Sequence, residues 1–186
     1  MATLPTEFKI ASAEISNNVP ITETDSRSLI RVQRKTGGQR WEMRLGSTRL
    51  NLEELKPILG ALSGIRNSMS TIEIAIPVYS DSVATTKVAA VSRAIGVTSI
   101  TVNSTSDIAV GDYFKFAGHS KVYMVTAITN GTNFSFFPNL KEAVASNEVL
   151  TFDGVEFTMR LTGDPIVFNA TNENITSIEI DLVEAL

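Results

Sequence analysis

The sequence predicts a mainly β protein: a β-sandwich domain with one α-helix and a small β module inserted into it. Three observations lead there. Apolar and polar residues alternate with period two in segments spread along most of the chain. Helical spacing is convincing at one place, residues 51–65. Between residues 96 and 150, short strand-like runs crowd together between turn signals.

Residues 1–26 are polar and interrupted by Pro5 and Pro20, which predicts an extended arm with one short strand over 8–15. In SLIRVQRK, Ile30, Val32 and Arg34 share one face, and Arg31, Gln33 and Lys35 the other. Thr36-Gly37-Gly38 is a turn signal, because glycine takes positive φ without steric cost. QRWEMRL then alternates, with Trp41, Met43 and Leu45 inward and Arg40, Glu42 and Arg44 outward. These two runs read as a β-hairpin, its tryptophan in the core and its arginines on an exposed face.

In NLEELKPILGALSGI, Leu52, Leu55, Leu59 and Leu62 recur at helical spacing. Asn51 suits the N-cap and Glu53 and Glu54 the first turn, while Gly64 can end the helix. Pro57 suggests a later start, near Lys56, or a kink. STIEIAIPV returns to a strand with Ile72, Ile74 and Ile76 on one face, ended by Pro77. SDSVATTKVAAVSRAI, residues 80–95, reads as a link. SITVN, VGDYFKF, KVYMVTAI and FSFFP follow as strands, with Asn130-Gly131 marking a hairpin. EVLTFDGVEFTMRL suggests another hairpin at Asp153-Gly154, and SIEIDLVEAL a last strand with Ile178, Ile180 and Leu182 opposite Glu179 and Asp181. The implied domains are 1–85 with 150–186, forming the sandwich, and 86–149, the inserted module.

At 43% hydrophobic and 19% charged residues, the 186-residue chain can bury a core. It has no cysteine, so disulfides, thiolate metal sites and thiol catalysis are excluded. No apolar run is long enough for a membrane helix, and the N-terminal stretch lacks the basic start and apolar core of a signal peptide, so synthesis and folding in a cytoplasm are expected.

The formal net charge of −4 is unevenly spread. Residues 27–49 hold Arg27, Arg31, Arg34, Lys35, Arg40, Arg44 and Arg49 against Glu42 alone. Residues 151–186 hold Asp153, Glu156, Asp164, Glu173, Glu179, Asp181 and Glu184 against Arg160 alone. Two explanations are open. Arg31, Arg40 and Arg44 could meet Glu179 and Asp181 of a neighbouring copy, or the two segments could pair within one sheet.

Catalytic signatures are missing. His119, in AGHSKVY, is the only histidine. It lies beside Ser120 and near Asp112, but Gly-His-Ser is not a Gly-x-Ser-x-Gly elbow, and a turn or strand-edge histidine with one hydrogen bond is the plain alternative. The sequence has no phosphate-binding Gly-x-x-x-x-Gly-Lys-Ser/Thr loop and no Asp-x-Asp-x-Asp calcium loop. No enzymatic activity and no cofactor or metal is expected. The basic hairpin could follow a phosphate backbone, but Trp41 falls on the face away from Arg40 and Arg44, and the pI is near 5.1. Specific nucleic-acid binding is not expected.

RSLIRVQRKTGGQRWEMRL, LEELKPILGAL and VGDYFKFAGHSKVYMVT, with the order of elements across most of the chain, resemble a family of tailed-bacteriophage structural proteins. They look like the distal tail or baseplate proteins that form a ring at the end of the tail tube. The resemblance implies a tail-tube-like sandwich or split barrel flanked by a helix, assembled as a homo-oligomer, usually a hexameric ring. Such a ring belongs to the virion. It stacks on the tail tube protein, carries hub, wedge or fibre proteins, and lets DNA pass. Alternatives are a head–tail joining or tail-completion protein, and a β-rich carbohydrate-binding module using solvent-facing Tyr113, Tyr123 or Phe137.

Overall fold

The alternating segments pair as antiparallel ladders. The computed structural model describes residues 4–25, 31–35, 38–76, 82–162, 168–170 and 175–185. Arg27, Ile30, Thr36, Gly37, Pro77, Asp164 and Glu173 of the sequence reading lie outside them. In chain order the elements are β1 (Ile10–Asn18), β2 (Ile21–Asp25), β3 (Arg31–Lys35), β4 (Arg40–Ser47), β5 (Leu50–Asn51), α1 (Leu52–Ser68), β6 (Ile72–Ala75), β7 (Thr86–Val88), β8 (Ser99–Thr101), β9 (Tyr113–Phe116), β10 (Val122–Ile128), β11 (Asn133–Phe137), β12 (Val149–Thr151), β13 (Glu156–Thr162), β14 (Phe168–Ala170) and β15 (Ile175–Glu184). The chain is mainly β with one helix, as its alternation predicts.

Two compact units divide it: residues 2–71 with 159–184, and 72–158 with the residues at the extreme termini. The divisions fall at 71/72 and 158/159, not at 85/86 and 149/150. Part of the reason is that Ala84 and Phe152, outside the expected module, pack in its core.

In the unit of 2–71 and 159–184, strands run in the order β1-β4-β15-β13, with β5 and β14 also paired to β15. Trp41, Met43 and Leu45 of β4 are buried with Ile178, Ile180 and Leu182 of β15. α1 touches β15 and buries Leu55, Ile58, Leu62 and Ile65. Its start is set by a capping box. The Asn51 side chain accepts from the N–H groups of Glu53 and Glu54, and the Glu54 carboxylate accepts from the N–H of Asn51. That cap fixes the start at Leu52 and keeps Pro57 inside the helix, so the later start near Lys56 is not observed. The helix also runs past Gly64 to Ser68 and ends at Met69 in the left-handed region (φ 50°).

The N-terminal arm is a sheet strand, longer and later than expected: β1 pairs with β4 from Ile10↔Ser47 to Asn18↔Arg40. The expected β3–β4 hairpin does not form. β3 pairs with β2, while both edges of β4 are taken by β1 and β15. Asp153-Gly154 is likewise a turn, with Gly154 at φ 63°, but the strands it joins do not pair.

In the unit of 72–158, Ile72 and Ile74 of β6 and Ile76 just after it are buried, as the alternation predicts. The remaining strands run β7-β12-β9-β10-β11-β8. A bridge between Ala89 and Val102, one residue beyond β7 and β8, joins the two ends and closes a small barrel. Closure leaves no free strand edge there. The link expected at 80–95 is therefore part of the barrel: β7, the Ala89 bridge and an Arg93–Val144 bridge all lie in it. The core is aromatic. Phe114 packs edge-on against Phe116, Phe134 and Phe136, and stacks on Tyr123 and Phe152. β10 and β11 form the hairpin marked by Asn130-Gly131, where Asn130 Oδ1 accepts from the N–H groups of Thr132 and Asn133.

Candidate functional site

The exposed face of β1-β4-β15-β13 gathers the charged residues singled out in the sequence. Period two puts Arg40, Glu42 and Arg44 of β4 on one side and the apolar residues on the other. Register then decides which charges meet. Arg44 lies opposite Glu14 on β1 and opposite Asp181 on β15. Its Nε donates to Asp181 Oδ1 at 2.8 Å. That hydrogen bond, then the charge of Asp181, raises the guanidinium above its ordinary pKa; Glu179 and Glu14 add to the effect and desolvation opposes it.

Arg40 binds Glu42 Oε1 through Nε and a second guanidinium nitrogen, both at 3.0 Å, and Asn18 Nδ2 donates to the same oxygen at 2.7 Å. Arg31 lies elsewhere, on the β2–β3 ribbon, with its Nε 3.2 Å from Asp25 Oδ1 and another nitrogen 3.7 Å from Glu23. Glu179 is exposed on the Arg44 side of β15, level with Gly46. The structure thus brings Arg44, Asp181 and Glu179 together, and sets Arg31 apart. Of these three arginines, Arg44 pairs with the acidic last segment, while Arg40 pairs with Glu42 of its own strand and Arg31 with Glu23 and Asp25 of β2. β4 and β15 are adjacent, which makes the basic and acidic segments neighbours.

Glu184, in the sequence one of seven acidic residues of the last segment, has no role assigned to it there. It continues the period of Ile178, Ile180 and Leu182, so it belongs to the inward face. It is 5% exposed, and its Oε2 accepts from the Trp41 N–H at 3.0 Å. The signal was its even spacing from those apolar residues. Trp41 itself is 2% exposed, a core residue as expected.

In the barrel, His119 is buried. Its Nδ1 lies 3.4 Å from the Tyr123 hydroxyl and its Nε2 3.8 Å from Glu148 Oε1. The suggested partner Asp112 is engaged elsewhere, with Ser82 and the Ala109 N–H. Glu148 ties two turns together by accepting from the N–H groups of Gly118 and Ala145. Tyr123 is fully buried and accepts from the Lys141 N–H, so it is not the solvent-facing aromatic that a sugar platform requires. Tyr113 is half-buried against Phe157, and Phe137 is half-buried. Lys87, nearly enclosed, is paired with Asp107, and this hydrogen bond holds the Asp107 carboxyl below its usual range.

Among the described residues, no group of three or more histidine, aspartate or glutamate side chains is placed to hold a metal, and no helix is long and apolar enough to cross a membrane. No protein-family model matches the chain, and no curated protein matches it.

Proposed function

We propose that this chain is a structural component of a bacteriophage tail, forming a ring at the distal end of the tail tube or baseplate. The ring would join the tube to hub, wedge or fibre proteins and leave a passage for DNA. The observation that carries this reading is the exposed β1-β4-β15 face. Its β4 segment lies in one of the three stretches that carry the family resemblance, and it stands in register between the carboxylates of β1 and β15. A broad polar face over an apolar one suits a subunit whose outer surface meets other subunits while its core stands alone. The closed barrel, a self-contained module, suits an appendage that neighbouring proteins grip. A head-to-tail contact between unlike patches is what closes identical chains into a ring.

Gold-labelled antibody raised against the barrel, applied to intact virions, tests the reading. Label at the distal end of the tail is expected. Label confined to the head or the head–tail joint, or no label on virions that contain the chain, would overturn it.

A further inference from the structure

The ribbon of β2 and β3 is the part of the chain least explained by its own fold. β1 and β4 pair up to Asn18↔Arg40, and β2 and β3 resume at Ile21↔Lys35. The β2–β3 ladder thus continues the β1–β4 ladder in sequence on both strands. It has five ladder pairs, Ile21↔Lys35 to Asp25↔Arg31, a reach of roughly 15 Å at the usual strand rise. Both strands are exposed wherever their side chains are described, and the apolar Ile21 and Val32 are 49% and 60% exposed. A lone two-stranded ribbon is marginal in water and needs a surface to lie on.

The two faces of the ribbon differ. Directly opposed residues share a face, so Ile21, Glu23, Asp25, Arg31 and Gln33 form one. There Arg31 binds Asp25 and Glu23, and Gln33 donates to Glu23 at 2.6 Å. The other face is Thr22, Thr24, Val32 and Arg34. It has no acidic group, and Arg34 makes no ion pair with any described residue. On the exposed sheet face, Glu14, Glu179 and Asp181 lie around Arg44, whose side chain hydrogen-bonds to Asp181. With Glu42, four carboxylates stand there against Arg40, Arg44 and Arg160, a face negative by one among the described residues. Glu14 and Glu179 make no ion pair with any described residue.

We propose that the β2–β3 ribbon is an exchange arm that lies on a second copy of this chain. Its Thr22/Thr24/Val32/Arg34 face covers that copy's sheet, with Arg34 against Glu14 and Glu179. The two surfaces do not meet within one chain, since the ribbon leaves the sheet at the Asn18/Arg40 end and stays exposed on both faces. Between copies the contact is head-to-tail, one patch meeting a different one, and it repeats around a ring. The proposal rests on the ring reading above and names the contact that closes it.

Sizing with light scattering and a cysteine cross-link test it together. Arg34→Glu combined with Val32→Glu is expected to raise the concentration for half-assembly by more than about tenfold, the equivalent of one ion pair's worth of binding. Circular dichroism and Trp41 emission should stay native. Adding Glu14→Arg and Glu179→Arg to Arg34→Glu should recover assembly. The chain has no cysteine of its own, so Arg34→Cys with Glu179→Cys should oxidise into chains linked to each other, running as multimers on a non-reducing gel. If rings persist unchanged in the Arg34→Glu/Val32→Glu variant, or the cysteines link only within a chain, the exchange falls and the ring reading stands. If the unaltered chain is monomeric at all concentrations, both fall.

Discussion

The Arg44 guanidinium donates to Asp181 at 2.8 Å across 137 residues of sequence, because β4 and β15 lie side by side in register. This contact links the basic and acidic segments of the chain. The basic and acidic segments are strand neighbours, and each tempers the other's field.

Arg44→Glu would place four carboxylates together: the new one, Glu14, Glu179 and Asp181. The expected result is a lower urea midpoint at low salt, with much of the loss removed by 1 M salt, where screening reaches only about 3 Å. Asp181→Arg in the same chain should restore the midpoint. An unchanged midpoint at low salt would show that the pair contributes nothing to this sheet. A guanidinium is charged throughout the usual pH range and the bond to Asp181 favours that form, so no pH dependence is expected from Arg44 itself.

Trp41 is enclosed, so Trp41→Ala should cost about 3–5 kcal/mol of unfolding free energy, as large core truncations do. In the unaltered protein its emission should be blue-shifted and shielded from iodide. A red-shifted, fully quenchable emission from the folded chain would contradict its placement.

The alternation of β4 and β15 and the capping pattern at Asn51 and Glu54 were legible because they are local. What the sequence hid was partner choice. Thr36-Gly37-Gly38 looks like a hairpin turn, yet β4 is satisfied on both edges by β1 and β15, so β3 turns to β2 instead. Asp153-Gly154 misleads in the same way: β12 pairs with β7 and β9, and β13 with β15. A turn residue fixes backbone direction but not which strand will hydrogen-bond. The Arg44–Asp181 pair depends on the register of strands far apart in sequence, which no local pattern encodes.

In the barrel, Phe114 stacks or packs edge-on against much of the aromatic core. Phe114→Ala should destabilise by about 3–5 kcal/mol. Loss of near-ultraviolet dichroism from the barrel while Trp41 emission stays native is the expected signature, since the two belong to different units. Simultaneous collapse of both signals in one transition would show that the units do not unfold separately.

Lys87 and Asp107 make the barrel acid-sensitive. The Asp107 carboxyl is held below its usual range by the hydrogen bond from Lys87. A depressed folded pKa contributes stability that is fully present above the unfolded value, about 3.9, and is lost as pH falls from there through the folded pKa. Melting temperature should therefore drop more steeply below about pH 4 in the unaltered chain than in Asp107→Asn, which has no such group to protonate. Parallel acid profiles for the two would remove the pair from the account.

Native mass spectrometry of the purified chain tests the central claim, assembly into a closed ring, most directly. From a 20.1 kDa chain, a hexamer of about 120 kDa is expected, dominant over dimers, trimers and open series. A monomer at every concentration, or a two-fold dimer that never grows, would contradict it.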